Sequence, residues 1–412
     1  MRRVVITGVG AVTPLGNDIE STWQALIAGQ SGVKPLTKFD GSDYAVRIAG
    51  EVRDFVLDPA VDPREARRAS QYVRYALNAS LEALRNAQLD TQTMDRERLG
   101  VIYGTGAGGI DIIGDNVTIL NEKGTRRVAP TLIANMIDDA ASGYIAIQTG
   151  ALGPNMAIVA ACSTGGHNIG EAYETIKRDD ADVIIAGGAE APIVPVVMSA
   201  FTNMRGLAGD NDNPGAACKP FDIRRDGFVL SEGAGAVILE ELEHALRRGA
   251  PIIAEVVGYG NSNDAKDMIA AGEDGAGPAR AMKMALRKAG IRPDQIDYIN
   301  AHGTGTPLND MAETRAIKTV CGDHAYKLVV NSSKSMLGHM MGAAGAVELI
   351  VTALSIKHGV VHPTINLEQA DENCDLDYVP GVARQREVTI GLSNSIGLGG
   401  HNSAIIVRRY EP

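Results

Sequence analysis

The chain has 412 residues, 45% hydrophobic and 22% charged, with 47 glycines, which is enough for two or three domains and a large core. Lys plus Arg number 39 against 50 Asp plus Glu, and the net charge of −11 excludes general nucleic-acid binding, so an acidic partner needs a local basic patch. The opening Met1-Arg2-Arg3-Val4-Val5-Ile6 is too short an apolar run for a signal peptide and no stretch of 18 apolar residues follows, so a cytoplasmic protein without a membrane span is expected.

In chain order, the pattern predicts a strand over 4–9, a helix over about 18–28, a longer helix over about 70–88 and a strand near Val101. Gly8-Val9-Gly10 hints at a dinucleotide fingerprint, but Thr13-Pro14 stands where the third glycine and the helix start belong. Arg64, Arg67 and Arg68 at helical spacing, Arg126 and Arg127, and Arg205 each read as solvated charge unless the fold gathers them. The apolar run Met156–Ala160 leads to Cys162, and Ile169, Ala172, Tyr173 and Ile176 then recur at i, i+3, i+4 and i+7. That spacing predicts a helix with Cys162 at its N-terminus, where unpaired N–H groups and the dipole favour thiolate. Taken alone, a buried packing cysteine is the commoner reading. Cys218, Cys321 and Cys374 show no CxxC spacing, so neither zinc nor a disulfide framework is indicated, and the count fits a reducing compartment.

The alternation resumes after Pro251, dividing the chain into halves at 1–250 and 251–412, each an α/β unit with crossover connections and a mostly parallel sheet. A helix over 279–289 and the linker Arg292-Pro293-Asp294-Gln295 lead to a strand ending at Asn300-Ala301-His302-Gly303-Thr304-Gly305-Thr306, matching the helix and linker before Val101. Leu328–Asn331 then leads to His339, as Met156–Ala160 leads to Cys162. Ligands collect at the C-terminal ends of such strands, so halves packed face to face would bring Cys162, His302 and His339 together. A lone histidine amid small apolar residues more often caps or packs, and Glu348, nine residues past His339, reads as an ion-pair partner. Leu392–Asn402 is glycine-rich between two apolar runs; it reads as a hairpin turn, or as the source of an N–H completing an oxyanion hole with the Cys162 amide.

Together, Ala160-Ala161-Cys162-Ser163-Thr164-Gly165, Asn300-Ala301-His302-Gly303-Thr304-Gly305-Thr306 and Lys334-Ser335 before His339 resemble the Cys-His-His condensing enzymes, in particular the elongating β-ketoacyl-acyl carrier protein synthase II family. The resemblance runs from Val4 to Val407. It implies the thiolase fold, two related halves in a five-layered αβαβα sandwich, and a homodimer. It further implies that Cys162 carries the acyl chain and that His302 and His339 assist malonyl decarboxylation. Lys334 would balance charge, the amides of Cys162 and Leu398 would hold an oxyanion, and Thr304 and Thr306 would bind the phosphopantetheine arm. No cofactor is implied beyond that arm, though Asn300, Glu348 and Asn394 would lie near a sodium or potassium ion. The six arginines match positions that dock an acidic acyl carrier protein.

Two departures stand out against the family pattern. Ile396 and Leu398 replace the usual phenylalanines of the glycine-rich turn, and Ala107 stands where many members carry a bulky aliphatic residue limiting the acyl channel. With Phe201 left as a wall, a roomier pocket for long or branched chains is expected. The same residues bear on other readings. A non-catalytic chain-length partner would typically lack the cysteine, and a degradative thiolase would offer a second cysteine where Ile396 and Leu398 stand; a polyketide ketosynthase is the nearer neighbour.

Overall fold

The computed structural model describes residues 2–269 and 272–412. The main sheet contains β1 (Val4–Val12), β2 (Leu99–Gly104), β3 (Asn155–Met156), β4 (Val183–Glu190) and β5 (Gly233–Glu241) from the first half. From the second come β6 (Ala254–Asn263), β7 (Tyr298–Asn300), β8 (Val329–Asn331), β9 (Ile390–Gly397) and β10 (His401–Arg408). Their order is β8-β7-β9-β10-β6-β1-β5-β4-β2-β3. Outward from the β1/β6 junction both halves repeat one pattern, two antiparallel pairs followed by two parallel pairs. The expectation of mostly parallel sheets is therefore corrected. The three-residue turn between β9 and β10 permits only antiparallel pairing, whereas strands joined through crossover helices run parallel.

Among the described residues, nine helices have nine residues or more: α1 (Ile19–Ile27), α2 (Gln71–Asn86), α3 (Ile110–Lys123), α4 (Ala140–Thr149), α5 (Thr164–Lys177), α6 (Pro195–Asn203), α7 (Ala276–Ala289), α8 (Pro307–Cys321) and α9 (Ala344–His358). The α5 and α9 helices touch each other and strands of both halves, so they form the middle layer. On the outside, α2 and α4 cover the first half, and α7 packs on β6 and β10 with α8 beside it. Five layers result, with one buried apolar cluster between the sheets and one under each outer layer. The α9 helix is buried from Ala344 to Ile356, as a helix wedged between two sheets must be.

The paired glycines near the start of each half serve this packing. A Cβ on Gly8 or Gly10 would stand 2.1 Å from the carbonyl oxygens of Ala83 and Ala79 on α2, and one on Gly260 or Gly258 would stand 2.1 and 2.5 Å from those of Ala281 and Ala285 on α7. Gly8-Val9-Gly10 thus lets a helix lie against β1, which accounts for it without a nucleotide.

Candidate active site

Cys162 sits on a single 3-10 turn, Ala161–Ser163, between β3 and α5. The turn brings Ala161 to φ +49°, a left-handed conformation that costs an alanine about 1–3 kcal/mol. After β8, at the matching place in the second half, the turn Met341–Ala343 leads into α9 with Met341 at φ +45°. Gly342 occupies the position that Cys162 has in the first half. The second turn is tied to the exit of β2 by Glu190, a fully buried carboxylate that accepts from Thr105 Oγ1 (2.7 Å) and from the N–H groups of Gly106, Ala107 and Gly342.

Burial pushes the Cys162 thiol up to about 11, even though the Leu398 N–H and the Lys334 charge favour thiolate. The expectation of a thiolate at the helix start is corrected: the side chain is only 5% exposed, and desolvation outweighs the helix N-terminus. The Leu398 amide reaches the thiol because β9 and β10 form a hairpin whose turn is Leu398–Gly400, with Gly399 at φ +77° and Gly400 at φ +74°. The hairpin reading of the glycine-rich segment holds. The N–H groups of Leu398 and Cys162 both favour negative charge at this thiol.

His302 leaves β7 with its backbone N–H donating to Glu313 Oε1 at 2.8 Å, while Gly303 N donates to Glu313 Oε2. Lys334 Nζ lies 3.3 Å from His302 Nδ1, and Lys334 also forms a buried ion pair with Glu348. A donating ammonium at Nδ1 leaves the proton of the neutral ring on Nε2. Burial, and then Lys334, hold both His302 and His339 well below the usual histidine value, so both rings are neutral near pH 7. The two rings stand 5.2 Å apart at 84°. Burial raises the Glu348 carboxyl, with Lys334 opposing, in keeping with an ion-pair role.

One cavity of about 340 Å³ is lined by Cys162, His302, His339, Thr304, Thr306, Phe201, Arg205, Ile396 and Leu398. Thr304 and Thr306 share a hydroxyl contact of 2.9 Å on its wall. Lys334 lies behind the histidines. Ala107 does not line the cavity. It is exposed where the β2 exit turns away, with its N–H donating to Glu190. Arg64, Arg67, Arg68, Arg126, Arg127 and Arg205 are all exposed, and Arg205 alone reaches the cavity.

The expected cation set is divided by the sheet. Asn300 shares a face with Tyr298, to whose hydroxyl its Nδ2 donates, whereas Asn394 points through the opposite face and donates to Glu313 on α8. Ser393, the register partner of Asn300, takes the position that a side-chain ligand from β9 would need. Asn394 is therefore not a side-chain member of this set. Asn300 Oδ1 and Glu348 Oε2, and on the other face Asn394 Oδ1, are buried without hydrogen-bond partners among the described residues, and the first two fit a hard monovalent ion held by oxygens. Among the described residues no cluster of three or more His, Cys, Asp or Glu could hold a metal.

Glu190, Glu313, Phe228 and Met341 were not singled out from sequence. Glu313 lies eleven residues after His302, and only the return of α8 against β7 brings it to the histidine's amide.

A family model for the β-ketoacyl synthase N-terminal domain matches residues 1–245, and one for the C-terminal domain matches residues 253–368. The chain is 46% identical over 410 residues to 3-oxoacyl-[acyl-carrier-protein] synthase 2 of Synechocystis sp., covering 100% of this chain and 99% of the relative. It is 48% identical to the protein of that name from Coxiella burnetii, covering 99% of each. Among solved structures, a type II polyketide acyl carrier protein in complex with its hexaketide-bound ketosynthase aligns with a TM-score of 0.92 and 33% identity, covering 100% of both chains.

Proposed function

The chain belongs to the β-ketoacyl synthase family and is an elongating condensing enzyme of fatty acid biosynthesis; from that premise we propose how its own residues act and on what. The observation that carries the proposal is the meeting of Cys162, two neutral histidines and the Leu398 amide in one cavity. The Cys162 sulfur attacks the thioester carbonyl of an acyl-carrier protein, with the developing oxyanion held by the amides of Cys162 and Leu398. The thiol proton leaves with the phosphopantetheine sulfur. Malonyl-carrier protein then binds, its C–CO₂ bond breaks, and the electron pair becomes an enolate whose oxygen accepts from the Nε2–H groups of His302 and His339. The enolate carbon attacks the acyl-Cys162 carbonyl and expels the Cys162 thiolate, which takes up a proton. The products are 3-oxoacyl-carrier protein, carbon dioxide and free enzyme.

On this reading Thr304 and Thr306 receive the phosphopantetheine arm, and the exposed arginines dock the acidic carrier protein near the cavity. No bound cofactor takes part. A sodium or potassium ion at Asn300 and Glu348 would offset buried negative charge behind His302. A cytoplasmic homodimer belongs to the same proposal. Its support is β3, an edge strand exposed along Asn155-Met156, with Ile147, Leu152, Met156 and Val159 exposed around it. Among the described residues no helix is long and apolar enough to cross a membrane.

Intact-protein mass measured after incubation with a ladder of acyl-carrier proteins, then with malonyl-carrier protein, tests the reading. Acyl mass must appear on Cys162 and vanish as elongated product forms; no acyl mass defeats it. Ile396 and Leu398 at the cavity predict that long and branched chains react, and a ladder in which only short chains load would contradict this. The likeness to a polyketide ketosynthase favours a second reading, marked in the same experiment by repeated malonyl additions without intervening reduction.

A further inference from the structure

We propose that Phe228 is the positioning residue for His339, holding its imidazole by ring packing where no hydrogen bond does so; the inference rests on the condensing reading above. His302 is tethered at both ends, through its N–H to Glu313 and through Nδ1 to Lys334. His339 is not. Its Nδ1 is buried with no hydrogen-bond partner among the described residues, so no polar contact fixes rotation of the ring. Besides the His302 ring, what meets it is Phe228, with centroids 5.3 Å apart and planes at 81°, a perpendicular arrangement favoured by the ring quadrupoles.

Phe228 is itself held firmly. Its N–H donates to Gly206 O at 3.0 Å and its carbonyl accepts from Ala208 N at 2.9 Å. A Cβ on the preceding Gly227 would stand 2.5 Å from the Leu207 backbone, so only glycine allows the two segments to lie this close. Phe201 supports the far side of the Phe228 ring, 5.3 Å away at 82°. The same stretch aligns the backbone of His339, whose N–H donates to Val229 O at 2.7 Å and whose carbonyl accepts from Ser231 N at 3.0 Å. Residues 228–231 thus set both the main chain and the ring plane of His339. The nitrogen left to the cavity is Nε2, the one that must face the enolate oxygen.

Acylation of Cys162 does not use His339, so the two half-reactions separate positioning from general damage. In the full-length protein, Phe228→Leu should leave the rate of Cys162 acylation, read by intact mass, within about twofold and the urea midpoint little changed. It should lower kcat for condensation by at least about tenfold, toward the roughly 100-fold that an ångström of misplacement can cost, with KM for malonyl-carrier protein nearly constant. Phe228→Tyr, which keeps the ring, should retain most of kcat. Phe228 also lines the cavity, so a rise in KM alone would make it a substrate contact and overturn the proposal. Equal losses in acylation and condensation, or an undiminished kcat, would overturn it too. If Phe228→Leu does not fold, Phe228→Met, which fills the space without a ring, should show the same pattern; a normal kcat there overturns the proposal. A parent protein that never acylates Cys162 would defeat the functional reading itself, whereas an active parent leaves the variants to decide this inference.

Discussion

At the scale of single residues, Cys162 rests as a protonated thiol whose deprotonation is opposed by burial. Iodoacetamide should therefore modify Cys162 more slowly at pH 7 than it modifies a free cysteine, and the rate should climb through pH 8 to 10 without levelling before the thiol titrates at about 11. A plateau near pH 7, followed by mass spectrometry of the modified peptide, would show a thiolate instead. Lys334 has two neighbours of opposite demand, a neutral histidine and a carboxylate, both buried. Glu348→Gln keeps the shape but leaves the ammonium without its countercharge. Breaking such a buried pair costs roughly 3–5 kcal/mol, so urea unfolding should shift by that order and condensation should fall with it. Replacing both partners by apolar residues should restore stability without restoring activity, since His302 would lose the donor at Nδ1.

At the scale of elements, helix and strand positions follow from periodicity and caps that the chain displays openly. Asp18 accepts from Ser21 N at the start of α1, α2 begins after Ser70, and α7 ends at Gly290 in the left-handed conformation. The strand expected over Met156–Ala160 is corrected to the two residues Asn155–Met156, and the direction in which the short strands pair leaves no signal in the sequence. Close approach of α2 to β1 and of α7 to β6 depends on glycines that meet backbone rather than flexible side chains. Gly10→Ala and Gly260→Ala should each destabilise by about 3 kcal/mol or more, the upper end of overpacking costs, because a carbonyl cannot swing aside. Chemical denaturation measures this, and a change below about 1 kcal/mol would mean the layers can separate at little cost. The equal sensitivity of two sites 250 positions apart in number is what a duplicated unit requires.

At the scale of the whole molecule, a chain of net charge −11 must recruit an acidic carrier protein through local charge. Arg64, Arg67 and Arg68 precede α2, Arg126 and Arg127 follow α3, and Arg205 stands at the cavity. Replacing Arg67 and Arg68 by Glu should slow acyl transfer from carrier protein at low salt while sparing small acyl thioesters. The difference should shrink as salt rises past about 0.15 M, where screening acts within roughly 8 Å. Stopped acyl-transfer assays across a salt series check this; equal loss with both substrates would remove the docking role.

The sequence by itself determined the two-fold repetition, most element positions and the family, because periodicity and the motifs around Cys162, His302 and His339 are local properties. Tertiary structure alone decided the electrostatics. Burial sets the thiol high and both histidines low, since desolvation depends on every layer packed around a group. It also decided which side of a strand each residue faces, sending Asn394 to Glu313 and Asn300 to Tyr298, and it placed Glu190, Glu313 and Phe228 around groups far from them in sequence. Those relations arise from long-range packing, which no window of sequence contains.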